Sequence, residues 1–226
     1  MKVLNTPSAS IPYIDRHRAI VRAKHNTTKG EINKTKQNLL TLDSAVASRY
    51  TNFELAIQNN QLFNFIENDF LKQNKDDLLS CYNGYTKKVE EIFDLIKDAQ
   101  VSCSLKKCPY CGITIPKTHD HYLPETKFPE LAVHALNLIP CCFTCNQTKN
   151  DNWKNSTHRT FIYFYSDTIP VERFINVQLY FSTNGDSIGA KFSINKPPNF
   201  SDDHWDIISS HYDKLSLIDN YNEIVN

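Results

Sequence analysis

Glycine is scarce in this chain of 226 residues, with five in all: Gly30, Gly84, Gly112, Gly185 and Gly189. No two have the spacing of a P-loop or a dinucleotide fingerprint, where glycines let the backbone approach phosphate. The chain therefore carries no recognisable nucleotide-binding motif. Net charge is missing too, since 25 Lys and Arg balance 25 Asp and Glu. Neutrality removes the simplest argument for a nucleic-acid partner, which is an overall basic chain. No apolar run approaches the roughly 20 residues that cross a bilayer. The first ten residues lack the apolar stretch of a secretory signal. These absences predict a soluble, cytoplasmic protein without a membrane partner.

Hydrophobic residues at 40% and aromatics at 12% argue against disorder. The length suits one domain, or one with elaborations, whose core needs no disulfides. Cysteine is where the sequence is rich. Six of seven cysteines fall between Cys103 and Cys145, and the seventh, Cys81, lies on a helical stripe and reads as core. Cys108 and Cys111 form one C-x-x-C pair, Cys142 and Cys145 another, with 30 residues between them. Two such pairs complete a tetrahedral S4 site of the kind Zn²⁺ accepts. Four protein ligands leave no open position, so this zinc is structural. Cys141, beside Cys142, offers an alternative register.

Between the pairs stand Asp120-His121 with Pro124, then Asn137-Leu138, and past Cys145 come Asn146 and Lys149. Over residues 105–152 these spaced elements resemble the HNH endonucleases, whose ββα-metal core is a β-hairpin followed by a short helix. The resemblance implies phosphodiester hydrolysis, in DNA ahead of RNA. His121 would be the general base, with a reference pKa near working pH. Asp120 and Asn146 would hold one catalytic divalent cation, Mg²⁺ or Mn²⁺, through oxygen. Asn137 would brace the loop that orients His121, and Lys149 would offer a charge to a substrate phosphate. In a regular strand His119 and His121 share a face while Asp120 points away. That leaves His119 either a phosphate contact or ligand, or a surface histidine. The alternative reading is a non-catalytic zinc module that binds nucleic acid or protein. Stand-alone bacterial HNH proteins imply a role in phage defence or restriction, with an ATPase partner.

The fold class expected is α+β. Residues 1–100 form a mainly helical region with a basic arm, residues 101–160 the nuclease core, and residues 161–226 a β-hairpin region followed by a helix, all packed as one unit. The arm (Arg16, Arg18, Arg22, Lys24) is either a mobile or solvated terminus or a phosphate-binding element. Residues 28–100 read as helical. Segments 39–50 and 53–70 look like two helices, and Leu78, Leu79, Tyr82, Val89, Ile92, Phe93 and Ile96 read as one apolar face. Residues 161–165, 177–181 and 188–194 read as strands, the last two joined by an Asn184-Gly185 turn. Residues 202–225 read as a closing helix. Charge is segregated: by count, residues 1–40 carry +6, 41–100 carry −4, 101–160 carry +3 and 161–226 carry −5. The basic parts are the arm and the proposed core.

Overall fold

Apolar residues recurring at three- and four-residue intervals turn the first hundred residues into short helices rather than long ones. A computed structural model describes residues 3–8, 10–84, 86–181 and 187–224. Helix α1 (Tyr13–Ala23) buries His17, Ile20 and Val21. A two-residue ribbon follows, β1 (Thr27–Thr28) against β2 (Glu31–Ile32), then α2 (Lys34–Thr41) and α3 (Asp43–Gln58). The side chain of Asn33 caps α2 by accepting from Lys36 N, which satisfies an otherwise unpaired first-turn donor. After α4 (Asp69–Gln73) come α5 (Lys75–Asn83) and α6 (Lys87–Asp98).

Several expectations need correction here. The ribbon interrupts the segment read as helical. Helix α3 runs through residues 51 and 52, where a break was expected, because Val46, Tyr50, Phe53 and Ala56 form one continuous buried stripe. Residues 59–68 hold only a 3₁₀ turn, Leu62–Asn64. The face from Leu78 to Ile96 is shared by two helices, which part at Gly84, a poor helix residue. The N-terminal basic residues belong to packed structure: Arg18 pairs with Asp15 and Asp43, and Lys24 donates to Ser80 O.

In the centre, β3 (Thr118–His121) pairs antiparallel with β4 (Leu138–Cys141), and α7 (Phe143–Lys149) follows directly. This is a strand–strand–helix unit whose connection, residues 122–137, is almost wholly buried. Further on, β5 (Ile175–Phe181) pairs with β6 (Ile188–Ile194). The expected Asn184-Gly185 turn lies outside the described residues. This ribbon leaves Val177, Leu179, Phe181 and Ile188 exposed.

Residues 161–165 are not a strand. All five are buried, and their backbone is held by other partners: Leu4 N donates to Phe164 O, Ile162 N to His211 Nδ1, and Tyr163 N to Asp167. The closing helix is two, α8 (Asp202–Lys214) and α9 (Leu217–Ile224). They part at Ser216, whose φ of +48° turns Leu217 back into the core beside Leu215; Val225 lies outside the described residues. One apolar core runs from Leu4 to Leu217 through all three segments. The protein is thus a mixed α+β fold, and no helix among the described residues is long and apolar enough to cross a membrane.

Two buried histidines make this core acid-sensitive. Burial pushes His17 and His211 down to about 4. An unfolded chain takes up a proton at each below about pH 6.5, whereas the folded chain resists until about 4. Their contribution is complete above pH 6.5 and is lost as pH falls toward 4. At pH 5 the loss amounts to about 2 kcal/mol for each residue. Urea midpoints at pH 7 and pH 5 should therefore separate in the native chain, and separate less in His211→Gln. An equal separation in both would remove His211 from the account.

Candidate active site and metal centre

The first knuckle is a tight turn. Gly112 N donates to Cys108 O, and Gly112 itself sits at φ +69°, a backbone state that favours glycine. The second knuckle opens α7, with Cys142 at its N-cap and Cys145 in its first turn. The sulfurs of Cys108, Cys111, Cys142 and Cys145 all lie within 4.8 Å of one another and all four residues are buried. Cys111 and Cys142 stand 3.9 Å apart, and Cys142 N donates to Cys108 Sγ at 3.3 Å. Zn–S bonds of about 2.3 Å in a tetrahedron place sulfurs about 3.8 Å apart, so this donor set fits zinc. Cys141 is not in the cluster; its sulfur meets Thr118 Oγ1. Among the described residues this is the one group of three or more His, Cys, Asp and Glu side chains gathered for a metal.

Across α7 lies a groove of about 270 Å³ bordered by Asp120, His121, Glu125, Asn146 and Asp151. His121 ends β3 with its side chain only 11% exposed. Its Nε2 lies 2.9 Å from Ala132 O. A carbonyl can only accept, so Nε2 carries the hydrogen and Nδ1 keeps the lone pair. Glu125 Oε2 stands 3.5 Å from Nδ1. Burial lowers the affinity of the imidazole for a proton, and Glu125 opposes that shift. The ring also meets the edge of Tyr82, with centroids 4.6 Å apart.

Asn137 is fully buried. Its Oδ1 accepts from Leu123 N and its Nδ2 donates to Leu123 O and Leu131 O. Those bonds hold the chain on both sides of Glu125 and set the position of Ala132 next to Leu131. Asn146 makes two long contacts, to Thr118 Oγ1 and His119 O. Asn150 ends α7 at φ +45°, a backbone cost of about 1–3 kcal/mol placed at the edge of the groove.

Three site expectations change. Lys149 is fully buried; its ammonium donates to both Asp120 oxygens, at 3.1 and 3.0 Å, and to His121 O. It is the internal partner of Asp120, not a charge offered to phosphate. Asp120 faces away from His119 and His121, and Tyr110 OH donates to it at 2.6 Å. The groove is rich in oxygen, as a hard cation requires. Yet Asp120 is already neutralised, so a divalent ion there would meet an ammonium about 3 Å from its ligand. Asp120 and Asn146 as they stand do not fit the catalytic cation. His119 stacks on Phe93 at 4.1 Å with the rings nearly parallel, and burial pushes it down to about 4. It is a neutral packing ring, not a cationic phosphate contact.

Sequence reading missed Tyr110, Glu125 and Ala132. Glu125 had one signal, its position four residues after His121. Tyr110 and Ala132 had none, because their roles arise only when β3, α7 and the connection come together.

No family model matches the chain, and no solved structure does. The chain is similar to Protein ea31 of Escherichia phage lambda, 44% identical over 50 residues. That stretch is 22% of this chain, and the chain spans 17% of the phage protein's length.

Proposed function

We propose that the chain is an HNH-type endonuclease that hydrolyses phosphodiesters in DNA, or less readily RNA. The four-cysteine site would hold a structural zinc that fastens β3 and β4 to α7. One observation carries the reading: Ala132 O fixes His121 as the tautomer whose Nδ1 bears the lone pair, at the mouth of a groove. From there Nδ1 takes a proton from an attacking water, and Asn137 keeps Ala132 in register while it does so. Glu125 stabilises the imidazolium that results. The Mg²⁺ or Mn²⁺ that the resemblance implies would supply charge neutralisation at the phosphoryl oxygens.

A second reading has its own support. The Asp120–Lys149 pair leaves no assembled cation site, as in a zinc module that binds nucleic acid or protein without cutting it. The test is incubation of purified protein with plasmid, single-stranded DNA and RNA, with and without added Mg²⁺ or Mn²⁺. Cleavage that falls at least about 100-fold in His121→Ala, with zinc content unchanged, supports the nuclease. Cleavage that persists in the variant overturns it. A defence role with an ATPase partner belongs to the same proposal. An ATPase that co-purifies with the chain and stimulates cutting would support it.

A further inference from the structure

Beside the groove, further back along β3, lies a cavity of about 780 Å³ that the proposed reaction does not use. One wall is the stacked pair Phe93 and His119, with centroids 4.1 Å apart and planes 4° from parallel. Val101 and Leu105 supply apolar surface, and around them Lys97 and Lys106 alternate with Asp94 and Asp98, so the lining is electrically balanced. Parallel rings and apolar walls suit a flat, uncharged aromatic ligand. Proteins that bind unpaired nucleic acid hold its bases on aromatic faces in the same way.

Position adds a second argument. His119 and His121 lie two residues apart on β3, about 7 Å along the strand and on the same face. An aromatic row joins them: Phe93 meets Tyr82 at 6.2 Å, and Tyr82 meets His121 at 4.6 Å. A base held at His119 would thus lie within about one nucleotide of a phosphate presented to His121. A base in a duplex is stacked and paired, so it cannot enter without leaving the stack.

We infer that this cavity takes an unpaired nucleobase of the strand being cut, so that the substrate is single-stranded or locally opened nucleic acid. The inference rests on the nuclease reading above, and its test keeps the two apart. Binding is measured by fluorescence anisotropy in the His121→Ala protein, zinc retained, with a labelled single-stranded oligonucleotide. A second oligonucleotide of equal length carries abasic sites in place of its bases. The expected result is about 10-fold tighter binding of the base-bearing strand. Phe93→Leu keeps apolar bulk but removes the aromatic wall, and should erase most of that difference while leaving the abasic affinity unchanged. Equal affinity for both strands overturns the cavity assignment, as does a preference that survives Phe93→Leu. The nuclease reading stands in either case if the native chain still cuts. Failure to bind either strand, with no cleavage, overturns both.

Discussion

Removing the metal from the four-cysteine centre should collapse the strand–strand–helix unit, and lower the melting temperature by more than about 10 °C. The physical reason is scale. Apparent zinc binding in small structural sites is about 10–16 kcal/mol, against a total stability of about 5–15 kcal/mol for a typical protein. At this chain length each 1 kcal/mol moves the midpoint by about 2–4 °C. The site also joins two knuckles far apart in the chain: Cys108 and Cys111 sit in a loop, and the thiolates with an N–H···S bond link that loop to the start of α7. Native protein should contain one zinc per chain by elemental analysis, and Cys145→Ala should contain none and melt early. Cys141→Ser should keep its zinc, since that sulfur faces Thr118. A metal-free native chain that melts unchanged after chelation would make the four thiols ordinary core.

Lys149→Met should destabilise the fold by about 3–5 kcal/mol, because it strands the Asp120 carboxylate in the interior. Asp120 is 2% exposed and Lys149 fully buried, so water cannot replace either partner. Tyr110 alone remains to stabilise the charge, and its own hydroxyl is held protonated by burial and by Asp120. Pairing Lys149→Met with Asp120→Asn removes both charges. The double variant should then recover part of the loss, with a coupling energy of about 1–3 kcal/mol read from urea unfolding of all four proteins. A lysine that served phosphate instead would leave stability unchanged and weaken nucleic-acid affinity. The same set reports on the cation: if Lys149 competes with a divalent ion for Asp120, Mn²⁺ should bind the native chain more weakly than Lys149→Met.

What was legible in the sequence was whatever depends on spacing. The C-x-x-C pairs met as read, and β5 and β6 came from local strand character and turn residues, while the β3–β4 hairpin was implied by the HNH resemblance. The alternation rule also placed Asp120 opposite His119 and His121. What was not legible depended on what the chain packs against. Residues 161–165 have every local mark of a strand, yet no strand among the described residues pairs with them. Leu4 and His211 from distant segments, and Asp167 close by, satisfy their backbone instead. Lys149, three residues after Asn146, reads as a charge for a substrate phosphate, because nothing local shows that its ammonium meets Asp120 and His121 O of β3. The break at Ser216 gave no warning, because serine at positive φ is a cost the buried leucines on either side impose.

The bonds from the closing helices to the first knuckle set the order in which this molecule can mature. His211 Nε2 meets Tyr110 O and Tyr221 OH donates to Cys111 O, across 101 and 110 residues of chain. Contacts of such long range are slow to form, since loop closure precedes any gain from them. On the ribosome the cysteine knuckles would emerge well before α8 and α9. Until those helices arrive, the core around His211 stays open. Completion of the first knuckle is therefore timed by synthesis of its most distant packing partners, and a chain interrupted before α8 would carry the cysteine motifs without the bonds that close over them.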